Sequence, residues 1–189
     1  MSKKRRTHNH SPESPLHRWL ADPPGWLAPA LIIVIGAVAY SNTFQSSFHF
    51  DDETSIVNNP AIRNLGDLKA VFGYSETRFV TYLTFALNYR FGGLEVFGYH
   101  LFNILVHIAA SVMVWLLVRQ VSRTPALRES AFTKSTQFIS LLAALLFVVH
   151  PIQSQAVTYL TQRTASLAAL FYISSVYLYG SARLSQLSG

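Results

Sequence analysis

The stretch FHFDDETSIVNNP, Phe48 to Pro60, sets Asp51, Asp52 and Glu53 in a row directly after two aromatic residues. Neighbouring carboxylates disfavour each other's ionisation, so one of a pair can keep its proton to higher pH. Such a carboxylate can act as a base toward a hydroxyl or bind a hard cation. The same acids can also simply open an exposed loop and cap a local turn. His49 stands beside them, but a lone loop histidine usually ligates nothing. A second set is His100, Asn103 and His107, at i, i+3 and i+7, which places them on one face of a helix. Inside an apolar segment they either point into a wet interior or hydrogen-bond a neighbouring helix. The third set lies in HPIQSQAVTYLTQRTASLA, His150 to Ala168. There Gln155, Tyr159, Gln162 and Ser166 share one face if the segment is helical. Arg163, alongside, can pair with an anion such as a phosphate or anchor the helix at lipid headgroups. No serine–histidine–acid arrangement and no glycine-rich phosphate loop is present. Cysteine is absent, which excludes disulfides, thiolate metal sites and thiol nucleophiles.

The elements that position these residues are membrane helices. Of the 189 residues, 50% are hydrophobic and 13% charged, against about 25% charged in a soluble domain. A crossing needs roughly 20 mostly apolar residues. Spans are expected at about residues 26–44, 97–118, 134–150 and 164–182, the last two short unless flanking residues or tilt extend them. Lys3, Lys4, Arg5, Arg6, Arg18, Arg119, Arg123, Arg128, Lys134 and Arg183 then share one side. Only Arg63, Lys69, Arg78, Arg90 and Arg163 fall on the other. This bias puts both termini in the cytoplasm and the acidic loop on the outer face. The net charge of +6 is then an orientation signal helped by anionic lipid, and no nucleic-acid partner is expected. Lys3 to Arg6, the apolar run and Ala37-Val38-Ala39 also resemble a cleavable signal peptide, but the basic region is long and proline-broken. Residues 1–25 read as a disordered basic tail, and residues 26–189 as the membrane domain.

The outer loop, residues 45–96, is too long for a plain connection. Leu65, Leu68, Val71 and Phe72 have helical spacing after the Asn59-Pro60 break. TRFVTYLTFALNYRFGG reads as a second helix ended by Gly92-Gly93 and lying in the interface, with Tyr82, Phe85 and Tyr89 as aromatic anchors. The expected fold is thus an all-α integral membrane protein: four transmembrane helices with a long first outer loop holding short interfacial helices.

Three motifs in order, FHFDDETSIVNNPAIRN, RFVTYLTFALNYRFGGLEVFGYHLFNILVH and HPIQSQAVTYLTQRTASLAALFY, resemble the N-terminal part of GT-C-class membrane glycosyltransferases. The likeness is greatest to the transmembrane and tetratricopeptide-repeat O-mannosyltransferases and their bacterial relatives, and it covers about Tyr40 to Tyr179. It implies transfer of a sugar from a polyprenyl-phosphate carrier to a hydroxyl acceptor on the outer face. It implies Asp51 or Asp52 as the base, the choice left open. Arg78, His100 and Arg163 become candidates for the carrier phosphate or its surroundings, with Asn103, His150 and Gln155 completing the expected substrate-binding set. Many such transferases need no metal, and no metal or other cofactor is expected. Membrane lipid and the lipid-linked sugar are the expected partners, in a bacterial inner membrane.

This chain departs from the family in two ways. Gln155 stands where eukaryotic members typically carry a glutamate, and the acid expected near Ala165 is missing. The family fold also has roughly a dozen spans. A truncated, split or degenerate form is therefore expected, inactive alone, with a partner chain as one source of the remaining spans. The rival readings are a non-catalytic adaptor or carrier-lipid-binding subunit, and a small proton- or ion-handling protein using His100, His107 and the acids.

Overall fold

The computed structural model of the chain describes residues 24–188, and the basic tail expected over residues 1–25 lies outside them apart from Pro24 and Gly25. The described residues are helical, with no strand among them. The main helices are α1 (Leu27–Ala39), α2 (Leu68–Tyr74), α3 (Phe79–Gly92), α4 (Val96–Val121), α5 (Ala131–Lys134), α6 (Thr136–Val149), α7 (Gln153–Thr158) and α8 (Arg163–Ser188).

Three segments are long and apolar enough to cross a membrane: Leu27–Gln45, Val96–Val121 and Leu160–Leu187. The chain is a membrane protein. The stretch expected as the third span is shorter: α6 has 14 residues, about 21 Å at 1.5 Å per residue, less than the roughly 30 Å hydrocarbon layer. A break at Ser135 separates it from the single turn of α5. The stretch expected to be short at the C-terminal end runs on instead, through 26 residues. Arg183, Leu184 and Gln186 are good helix formers, and no proline stops the helix.

Side-chain contacts set the helix directions. Ile32 of α1, Trp115 of α4 and Ala144 of α6 share one buried cluster, while Tyr40 and Val148 meet His107 further along. α1 and α6 therefore run together, antiparallel to α4. Arg163 meets Tyr99 and Asn103, and Tyr177 meets Gln120, so α8 runs parallel to α4. A third cluster, Ile56, Ile62, Val71, Tyr82, Phe85, Tyr99 and Leu160, binds the long loop to the start of α4 and α8. Tyr82 and Phe85, expected as interfacial anchors, are buried in this cluster. Each ring finds more apolar contact inside the head of the protein than a headgroup layer offers. α3 ends at Gly93, whose φ of +59° is reached without strain only by glycine.

α1 crosses α4 and α6 closely at Gly36. A Cβ there would lie 2.9 Å from Ile108 Cγ1 and 3.0 Å from Val148 Cγ2. Small residues at crossings let membrane helices approach, and overpacking such a contact costs about 1–3 kcal/mol. Gly36→Leu is accordingly expected to lower the melting temperature in detergent, whereas Gly25→Leu, where a Cβ meets nothing, leaves it unchanged.

Candidate active site

The Asp51-Asp52 pair sits where the loop after α1 folds back on the segment between α7 and α8. Its two members have separate surroundings. Asp52 is 1% exposed. Its Oδ2 accepts from the backbone N–H of His49 at 3.1 Å, and its Oδ1 accepts from that of Thr161 at 2.9 Å. One carboxylate thus closes its own turn and ties it to a segment 109 residues away. Asp51 is exposed. Its backbone N–H donates to Tyr159 Oη at 3.1 Å, while its carboxylate makes no hydrogen bond with the described residues. Thr54 Oγ1 donates to its carbonyl at 3.1 Å, so the main chain is held and the acid is left open.

Phe50, just before the pair, has φ +49°. A bulky residue there costs about 1–2 kcal/mol, and such strain persists where surrounding contacts enforce it. Its ring is 87% exposed and meets Tyr159 edge-on at 6.3 Å. The strained backbone turns the ring outward, and Phe50 and Tyr159 wall a pocket of about 380 Å³ with His49, Ser154, Gln155 and Thr158. Apolar walls with a few convergent polar groups suit a small organic ligand.

Burial pushes the Asp52 carboxyl above its ordinary range, and the amides of His49, Thr161 and Leu160 hold it part-way back. The folded chain therefore keeps the Asp52 proton at a pH where the unfolded chain has lost it. The stability this adds is complete below the ordinary carboxylate range and is lost as pH rises through the raised value. Melting curves of the parent and of Asp52→Asn across that range are expected to differ by this falling component, which the variant lacks.

Arg163 is fully buried, with 0% exposure. Nε donates to Asn103 Oδ1 at 2.6 Å, Nη1 to Thr84 Oγ1 at 3.0 Å and Asn88 Oδ1 at 2.7 Å, and Nη2 to the Tyr99 carbonyl at 2.9 Å. Its plane lies 4.5 Å from the ring centres of both Phe85 and Phe102. The expectation that Arg163 meets a carrier phosphate or anchors at headgroups is not what this geometry offers. Neutral oxygens from α3 and α4 take four of its five donors, and aromatic faces cover the rest.

The other expected residues divide. His100 and Asn103 have 0% exposure and His107 has 3%. The His100 ring donates from Nε2 to the Ser46 carbonyl at 3.0 Å, and that of His107 from Nε2 to the Val148 carbonyl at 3.1 Å. Asn103 Nδ2 donates to the Val157 carbonyl at 3.1 Å. The polar face of α4 is glue between segments; His100 Nδ1 and Trp115 Nε1 are the buried polar atoms of this helix left unpaired among the described residues. Gln155 is exposed and borders the pocket. His150 accepts at Nδ1 from the Ile152 N–H at 3.2 Å, capping the turn into α7. Arg78 is exposed at the start of α3 and is not brought to the pocket's lining.

The shared face expected for Gln155, Tyr159, Gln162 and Ser166 does not form. Tyr159 is extended, at φ −82° and ψ 111°, and splits α7 from the turn Leu160–Gln162 and α8. The break lets the Thr161 amide turn toward Asp52. Thr84, Asn88, Tyr99 and Thr161 were not singled out by the sequence reading. Thr84 and Asn88 gave a signal, being polar at i and i+4 within an apolar helix; a backbone donor such as Thr161 gives none.

Comparison with known proteins returns protein O-mannosyl-transferases. Human TMTC4 is 32% identical over 171 residues, which cover 81% of this chain and 22% of TMTC4. Tmtc3 of Drosophila melanogaster is 31% identical over 170 residues, 78% of this chain and 18% of the fly protein. A protein O-mannosyl-transferase of Caenorhabditis elegans is 28% identical over 162 residues, 79% of this chain and 22% of its own. The chain thus spans about a fifth of the length of the curated relatives it matches. No family model and no solved structure matches it. The likeness carried by the three motifs therefore extends over most of the chain, which is a relative of the transmembrane and tetratricopeptide-repeat protein O-mannosyltransferases, matched over one segment of their length.

Proposed function

We propose that this chain is the N-terminal module of a GT-C-type glycosyltransferase that moves a sugar from a polyprenyl-phosphate carrier to a hydroxyl acceptor, and that Asp51 is its base. The observation that carries the choice of Asp51 is the division of labour in the pair. Asp52 spends both oxygens on backbone amides, while Asp51 stands exposed on a held main chain beside the Phe50–Tyr159 pocket. In the reaction the acceptor hydroxyl gives its proton to the Asp51 carboxylate. Its oxygen bonds the anomeric carbon, the bond from that carbon to the phosphate oxygen breaks, and polyprenyl phosphate leaves. Asp52 is a positioning residue. Arg163 holds the frame and leaves phosphate contact to groups outside the described fold or to Arg78. The pocket wall, with Gln155 and the Phe50 and Tyr159 rings, suits a sugar ring.

The alternating directions of α1, α4, α6 and α8 support four crossings, with α6 and its flanks making the shortest. The membrane domain is then residues 26–189, with both ends cytoplasmic and the loop of residues 45–96 outside, in a bacterial inner membrane. The module matches a small share of its relatives' length, so a partner chain supplying further spans, or a non-catalytic carrier-lipid-binding role, fits the same fold.

The absence of cysteine makes the orientation directly testable. Thr54 and Glu129 are both exposed. In intact cells an impermeant maleimide is expected to label Thr54→Cys, and to label Glu129→Cys only after permeabilisation. The reverse pattern puts Asp51 in the cytosol and ends the proposal.

A further inference from the structure

A second pocket lies at the opposite end of the bundle. Where the parallel helices α4 and α8 finish, they part around a groove of about 560 Å³, lined by Arg119, Gln120 and Arg123 from one side and Tyr177, Ser181 and Ser185 from the other. Its floor is built. Gln120 Nε2 donates to the Tyr177 carbonyl at 2.9 Å and to Ser181 Oγ at 2.5 Å. Ser181 accepts there, which leaves its proton to donate. Gly180 permits the closure, since a Cβ at that position would stand 2.6 Å from Gln120 Oε1.

Two guanidinium groups border this floor. Arg119 stands in the last turn of α4 and Arg123 just past its end, in the turn that Arg123 N–H closes on the Gln120 carbonyl at 3.0 Å, and two like charges in such proximity repel. The helix C-terminus favours cations. Among the described residues neither arginine has a carboxylate partner, the one ion pair there being Arg128 with Glu129. Arg119 lies over the Trp115 ring, 4.7 Å from its centre, as arginine and tryptophan do at a membrane interface. The depth is also informative. From His100 to Arg119 the helix rises about 29 Å, close to one hydrocarbon thickness. The groove therefore opens at the headgroup level of the leaflet opposite Asp51.

We propose that this groove binds the phosphate of an anionic phospholipid. Arg119 and Arg123 clasp its oxygens, Ser181 donates a further hydrogen bond, and the acyl chains run into the bilayer past Leu116 and Tyr177. Paired arginine donors match a phosphate diester, and basic pockets between helices on this side recognise anionic headgroups.

Trp115 reports on the site if Trp19→Phe and Trp26→Phe remove the other two indoles. The purified full chain in detergent is titrated with brominated phosphatidylglycerol or brominated phosphatidylcholine. Stronger quenching by the anionic lipid is expected, and R119Q/R123Q is expected to weaken that lipid by roughly thirtyfold, two charges' worth, while R119K/R123K keeps the charge but not the paired donors and falls between the two. In the unsubstituted arginine background the preference is also expected to fall as sodium chloride rises, a readout independent of how well the variants fold. Inorganic phosphate at matched ionic strength is expected not to displace the lipid; displacement would make this a simple anion site. Equal quenching by the two lipids, a preference that ignores salt, or one that survives R119Q/R123Q overturns the proposal.

Discussion

Arg163→Met is expected to lose about 3–5 kcal/mol of stability, the cost of breaking a buried charged network by removing one member. The oxygens of Asn103, Asn88, Thr84 and Tyr99 would then face methionine carbon with no donor, and each buried unsatisfied group costs about 1–3 kcal/mol. Melting in detergent should fall by about 10 °C, with loss of the monodisperse peak. Arg163→Lys should recover only part of this. Lysine keeps the charge but has three donors on one atom and no plane to lie between Phe85 and Phe102. An alternative role predicts another pattern: were Arg163 a carrier-phosphate ligand, the lysine variant would melt like the parent and lose only carrier affinity. A methionine variant with parental melting would remove Arg163 from the frame of the site.

The second large effect is on chemistry. In an assembly complete enough to transfer sugar, Asp51→Asn should lower turnover by about 10²–10⁴-fold, the usual contribution of a general base, with no change in melting. Asp52→Ala should do the converse first. It strips the acceptors from the His49 and Thr161 amides, lowers the melting temperature and harms transfer through the displaced loop. The assay is transfer from a panel of polyprenyl-phosphate sugars after co-expression with whatever chain completes the membrane domain. Full activity in Asp51→Asn would reject the assignment; Asp52→Asn then tests whether its neighbour is the base.

Much of the frame was legible because a bilayer demands long apolar runs, and helix periodicity reads directly from sequence. α4 lies at residues 96–121 where 97–118 was expected, and the glycine stop after α3 fell at Gly93. The pair Asp51-Asp52 stood out by composition alone. Which member does what did not, because adjacent residues of one type differ only in where the fold points them. The role of Arg163 was misread for a related reason. An arginine at a helix start looks like a headgroup anchor until Thr84 and Asn88, 79 and 75 residues earlier in the chain, are known to meet it. The extended Tyr159 was equally hidden: the spacing of Gln155, Tyr159, Gln162 and Ser166 reads as one helix face, and the β-branched Val157, Thr158 and Thr161 around it, which weaken a helix, were outweighed by that pattern.

That tie sets a schedule for biosynthesis. The ribosome makes Asp52 long before its partner, and 109 residues must follow before the Thr161 amide exists. At roughly 5–20 residues per second, the nascent loop waits several seconds with its acids unlatched and its aromatic cluster missing Leu160. Translation arrested before Thr161 has left the ribosome should yield a loop open to protease, and arrest after it has emerged should give a closed one. The acidic turn is thus made well before the segment that locks it.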